Sequence, residues 1–371
     1  MIVGGKLSWN IVLKYTGRPV LLHVVLAFGV VIAYQLLGAR WLAVPALPVT
    51  VLAAAIGVLL AFRNNSAYDR WWEARTLWGA LVNTSRSFAR QVLTFLPRAE
   101  VTSAEAPSLV QGASSPLLRT AVGSAATVRG IAELVASDGA VRDRYGKASN
   151  RDHPEGRGLL ATLETQGPGQ SITEDERELV YAQIGFVNAL RCHLRRQDPF
   201  PDLTPFFRAS VLDALREEKN VPSAILIWVA TRLRSVYSRH QSQDDVFRLV
   251  VLDRTLTELT NILGACERIK NTTIPLQYDV LPRAMVRAFL GILPLGVVAD
   301  LTWLTPFFTA IIAFLFIAMD SVGRDVETPF EDGVSDTPMT ALCRTIEINL
   351  RQMLGETELP APLQPVDGLL Y

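Results

Sequence analysis

The chain has 371 residues, and its 36 basic and 36 acidic side chains balance. A net charge of zero excludes a global basic field for nucleic acid. Only 19% of residues are charged, below the quarter typical of a soluble domain, and this suits a chain that is part membrane and part cytosolic domain. The cysteines, Cys192, Cys266 and Cys343, are odd in number and far apart, which argues against a disulfide framework and fits a reducing compartment. His23, His153, His193 and His240 form no ligand-spaced cluster, so no metal site and no cofactor is expected.

Residues 19–39, with His23 the one titratable group, predict a first membrane span. Nothing in Met1–Arg18 resembles a signal peptide with a small-residue cleavage site, so this span is read as retained. Residues 41–62 predict a second: between Arg40 and Arg63 lie 22 uncharged residues. Arg40 and little else links the two, which predicts a tight helical hairpin.

On the second span Ala54, Val58 and Phe62 fall at i, i+4, i+8 and form one stripe, while Leu52, Ala55, Leu59 and Leu60 occupy other faces. Two readings stay open for the stripe. It is either surface for lipid and helix packing, or a hydrophobic constriction around a pore axis. A polar and aromatic block follows at once: Arg63-Asn64-Asn65-Ser66-Ala67-Tyr68-Asp69-Arg70-Trp71-Trp72-Glu73-Ala74-Arg75. It reads either as an interfacial anchor with snorkelling Arg and Trp, or as a structural collar in which Asp69–Arg70 and Glu73 with nearby Arg form ion pairs.

From Trp71 to Leu96 apolar residues recur at helical spacing. Residues 99–171 are rich in Ala, Ser, Gly and Thr and read as a flexible insertion, with one weak helix near 117–135. Thr173-Glu174-Asp175-Glu176 is a capping-box pattern that opens a helix running to about Arg196. Pro199, Pro201 and Pro205 stop it, and amphipathic helices follow near 205–218, 222–239 and 243–270. A third span is expected at about 275–299, bent near Pro294, and a fourth at 301–319. Glu327–Asp336 then forms either a hard-cation site or a solvated acidic turn. The tail carries three prolines after Leu359 and is expected to be extended.

Four units follow: 1–62 with the first hairpin, 63–273 as a cytosolic helical domain holding the insertion, 274–322 as a second hairpin, and 323–371 as turn, helix and tail. Basic residues flank the inner ends of the spans, and the short outer links carry only Arg40 and Asp300, so both termini and the long middle are expected in the cytoplasm. There is no GxxxxGK[ST], GxSxG or HExxH, so no enzyme is expected.

The run Phe62–Arg75 resembles the signature of the bestrophin family in its bacterial branch. Residues 81–93, 266–278 and 327–338 resemble the family's next helix, the lead into its third span and the turn after its fourth. The likeness covers 1–98 and about 172–345, with no recognised counterpart for 99–171. It implies an all-α membrane protein, four transmembrane helices per subunit plus a large cytosolic helical domain, assembled as a homopentamer around a central pore in the cell membrane (the inner membrane if bacterial). Small monovalent ions would pass down it, chloride by family default, with cation preference open in the bacterial branch.

The resemblance further implies a neck at Ala54, Val58 and Phe62 and a cytosolic aperture at Leu203, with Phe200 as the alternative. It makes Arg63, Tyr68, Asp69, Arg70, Trp71, Trp72 and Glu73 a collar. Ala54 is smaller than the family's usual residue at that level, so the neck is expected to be wider there. Gly333, Val334 and Ser335 break the acidic run that forms a calcium clasp in animal members, which argues against a high-affinity calcium site. Rival classes are a secondary transporter, which predicts an internal repeat that is not seen, and a membrane-anchored scaffold.

Overall fold

The computed structural model describes residues 9–97, 172–239, 243–272, 275–365 and 370. The weak helix expected near 117–135 lies outside them. Among the described residues all regular structure is helical. Helix α1 (Trp9–Gln35) passes through Pro19. Helix α2 runs from Ala46 to Phe95, 50 residues without a break. After it come α3 (Glu174–Arg195), a single turn α4 (Phe200–Leu203), α5 (Ala209–Arg216), α6 (Val221–Ser238) and α7 (Gln243–Asn271). Helices α8 (Leu276–Leu301) and α9 (Thr305–Glu327) are joined by a 3₁₀ turn, and α10 (Met339–Met353) ends the fold.

Three stretches are long and apolar enough to cross a membrane: Thr16–Gln35, Arg40–Phe95 and Gln277–Glu327. The last contains both α8 and α9. The α1–α2 link is longer than the expected tight hairpin. It runs from Leu36 to Pro45 through a left-handed Gly38 (φ 67°) and a 3₁₀ turn at Arg40–Leu42. Pro45, with extended backbone and no N–H to donate, then sets the start of α2 at Ala46, beyond position 41 where hydropathy alone begins the span. The Val44 N–H donates to the Leu295 carbonyl at 3.1 Å and ties this link to α8.

Helix α2 runs unbroken across 62/63 and through the polar block. That block has no Gly or Pro, and its Ala, Arg and Glu are good helix formers. The helix therefore serves two separate apolar cores. Near its start, Val49, Ile56 and Leu60 pack with Val286, Phe289, Leu290 and Leu293 of α8 and Ala313 and Ile317 of α9. Close approach of α2 and α8 depends on Gly296, where a Cβ would meet Val49 Cγ2 at 2.7 Å. Toward its end, Trp78, Leu81, Phe88 and Val92 join the larger core with α3, α6, α7 and α10.

Helix α3 starts as the spacing predicts. The Thr173 hydroxyl accepts from the Glu176 N–H at 3.2 Å, and the Glu176 carboxylate accepts from the Thr173 N–H at 2.8 Å. It ends on Arg196, held in the left-handed region (φ 55°). The helix expected at 205–218 forms as the shorter α5, because Pro205 has no N–H to donate and the regular helix begins only at Ala209; the single turn α4 precedes it.

Candidate pore-lining helix and its collar

Helix α2 has two contrasting faces along its length. One carries Ile56, Leu60, Arg63, Ala67, Ala74, Trp78 and Leu81, all buried against the rest of the chain. The opposite face carries Val51, Ala54, Val58, Phe62, Asn65, Asp69, Glu73 and Thr76, all exposed. The three stripe residues from sequence thus share one surface: Val58 is 56% exposed and Phe62 67%. Leu60 belongs to the apolar core, and Leu52 and Leu59 are half-buried at its flanks. The exposed face changes character at Phe62, apolar before it and polar after it.

The change coincides with a buried charge network. Arg63 is 3% exposed. Its guanidinium donates to Asp320 of α9 at 2.6 Å and to Asp279 of α8 at 2.9 Å, with Glu327 at 3.6 Å. Arg324 joins Asp320 at 3.2 Å and Arg283 joins Asp279 at 2.7 Å. Three arginines therefore meet three carboxylates, which is the arrangement a buried charge requires. Next to it, the Asn64 amide donates to the Met319 carbonyl at 3.1 Å, against Gly323, whose missing Cβ leaves the room.

About two turns on, Arg70 donates to the carbonyls of Thr272 and Ile269 and so closes the C-terminal end of α7. The Trp71 indole N–H donates to the Ser335 carbonyl at 2.8 Å. Tyr68, Trp71 and Trp72 pack as a ring cluster with centroids 6.0–6.3 Å apart, and Trp72 stays 55% exposed. Glu73 pairs with Arg268 of α7. The expected ion pairing within the block is therefore not what forms. Neighbours along a helix point away from each other, so Arg63, Arg70 and Glu73 find partners some 200 residues away in sequence, and Asp69 has none among the described residues.

The turn after α9 leaves Glu331 and Asp332 exposed, as the solvated-turn reading expects, but pairs each of them. Glu331 pairs with Lys270 at 2.6 Å and Asp332 with Arg195 at 2.9 Å. The Asp336 carboxylate is buried and accepts from the Gly333 N–H at 2.8 Å; burial pushes its pKa up, and that hydrogen bond pulls it back. Phe330 is inserted into the large core. Each of these carboxylates is thus committed to a cation or a backbone donor, and no cluster of three metal-ligating side chains occurs among the described residues.

Leu203 is a correction. It has no exposed surface and lies in the large core, so its side chain does not face an opening. The run of prolines leaves the register of this segment ambiguous in sequence, and the single turn of α4 turns Leu203 inward. Phe200, one turn earlier, remains partly exposed with the Arg216 guanidinium 4.9 Å above its ring. Asp279 and Asp320, the partners of Arg63, were not singled out in the sequence. A lone carboxylate directly after the apolar run 301–319 was the available signal, since such a group near a membrane implies a partner.

Known proteins agree with this architecture. The voltage-dependent anion channel-forming protein of Ralstonia nicotianae is 28% identical over 367 residues, covering 97% of this chain and 96% of that protein. The voltage-dependent anion channel-forming protein YneE of Escherichia coli K12 is 29% identical over 318 residues, covering 86% and 80%. The crystal structure of a bacterial bestrophin homolog from Klebsiella pneumoniae superposes with a TM-score of 0.68 at 24% identity, covering 92% of this chain and 99% of that one. The profile described as "Bacterial/Fungal Bestrophin protein" matches residues 9–130 and 145–352. It runs through most of the segment expected to lack a counterpart and leaves only 131–144 unmatched within it. The chain belongs to the bacterial and fungal bestrophin family.

Proposed function

We propose that five copies of this chain assemble around a central axis as a passive channel for small monovalent ions, with α2 of each copy lining the pore. The observation that carries this is the two-faced α2, buried on one side and bare on the other along both its apolar and its polar half. A single α2 encloses nothing, so a ring of copies gives the bare face an axis to share. The printed names of the relatives, anion channel-forming proteins, support conduction.

In this reading Ala54, Val58 and Phe62 form a neck that controls wetting. Arg63 and the collar from Tyr68 to Glu73 hold the neck helix to α7, α8, α9 and the turn behind α9. Helices α1, α2, α8 and α9 supply four spans per subunit. The basic residues at their inner ends support a cytoplasmic side for both termini and the polar half. Phe200, which keeps exposed surface where Leu203 has none, replaces Leu203 as the residue assigned to a cytosolic aperture. With the acidic turn consumed by ion pairs, conduction does not depend on calcium.

Purified protein in liposomes tests the proposal. Large, uncoupled, voltage-driven flux is expected. Flux that saturates and requires a second coupled solute would establish a transporter instead, and no flux from intact pentamers would establish a scaffold.

A further inference from the structure

Asp69 carries the one uncompensated charge on the bare face of α2 between Phe62 and Asn83. It is exposed, and it makes no ion pair or side-chain hydrogen bond among the described residues. Every other charge of the signature block is either turned away or matched. Arg63 is buried among α8 and α9 carboxylates, Arg70 is spent on the end of α7, Glu73 is paired with Arg268, and Arg75 projects from the flank.

Asp69 also stands in register with the neck. Seven residues after Phe62, it projects within about 20° of the same direction. It sits about 10 Å further along the helix axis, on the side of the polar half. Within one chain the open carboxylate holds no partner among the described residues. In a ring it does something else: it repeats around the axis just where the apolar neck ends.

We propose that Asp69 is a specificity-determining residue, a ring of carboxylates at the inner mouth of the neck that favours monovalent cations over anions. This rests on α2 lining the pore. A narrow passage with low-dielectric walls focuses the field of such a ring and raises the local concentration of counter-ions. The neck itself is uncharged, so the sign of the ions delivered to it is decided here. The reading opposes the simple transfer of anion preference from the named relatives.

The test is the reversal potential of the full-length channel in planar bilayers under a KCl gradient. Wild type is expected to reverse toward the potassium potential, and Asp69→Asn to lower the potassium-to-chloride permeability ratio by about tenfold. The wild-type preference should weaken as salt rises from about 0.01 M to 1 M, because the screening length shrinks from about 30 Å to about 3 Å. Should Asp69→Asn fail to assemble, Asp69→Cys carries the test. A sulfonated thiol reagent should restore cation preference and a neutral reagent of similar size should not.

Val58→Cys separates the two readings. Block of its current by a thiol reagent, together with an unchanged reversal potential in Asp69→Asn, would leave the neck standing and overturn the role of Asp69. Failure of the reagent to affect Val58→Cys would overturn the pore-lining reading and this proposal with it. Chloride preference in the wild type overturns the proposal outright.

Discussion

Arg63 is the residue on which the membrane half depends. Its guanidinium satisfies carboxylates of two other helices, with itself and Asp320 buried and Asp279 partly so. Arg63→Ala leaves Asp320 buried with only Arg324 for company, and removing one partner of a buried pair typically costs about 3–5 kcal/mol. A large fall in the thermal midpoint of the detergent-solubilised protein is expected, with Arg63→Lys intermediate because an ammonium cannot reach both Asp279 and Asp320 as a fork. The cysteines give a pH prediction. Burial first, then Glu267 and Glu73, push the Cys266 thiol up to about 12 from its ordinary 9.0, and burial does the same to Cys343. Both thiols stay neutral in the folded chain while the unfolded chain ionises, so their contribution is complete below pH 9 and disappears as pH rises to about 12. Stability measured by denaturant titration should decline across that window. At neutral pH these two thiols and the equally buried Cys192 should be silent to thiol reagents, which makes introduced cysteines readable.

At the scale of the element, α2 and the turn after α9 carry the testable content. Cysteines at Ala54, Val58 and Phe62 should label fast or cross-link between subunits, and those at Leu52 and Leu59 should label slowly. Equal rates at all five positions would mark a lipid-facing surface. For the turn, chelator should leave the current unchanged, because Glu331 and Asp332 already hold Lys270 and Arg195. Current that vanishes in chelator and returns with micromolar calcium would show that these pairs open to make a site. The sequence made some of this legible and hid the rest for a physical reason. Local rules were readable: the uncharged run, the capping box at Thr173 and the i, i+4, i+8 stripe all depend on residues within a few turns. The ion pairs of the collar were not, because Arg63 meets Asp279 and Asp320 across 216 and 257 residues. Leu203 came from the resemblance, aligned across a proline-rich run whose register the sequence leaves ambiguous, and its side chain is turned into the core.

For the whole molecule, the expected assembly is a pentamer, and native mass spectrometry should find five times the 40.8 kDa subunit. A monomer or dimer under gentle conditions would refute it. Deleting 131–144, the internal stretch that the family profile skips, should leave that mass pattern intact apart from the lost residues, since shortening a connection changes closure entropy only slowly. The length of α2 has a mechanical consequence. Fifty residues of unbroken helix form a rod about 75 Å long, clamped at mid-length by Arg63 and Arg70 and packed into a different core at each end. Such a rod transmits torque. A ligand, a protein or a proton that tilts the far end of α2 would move Val58 and Phe62 by leverage, with no contact at the proposed neck.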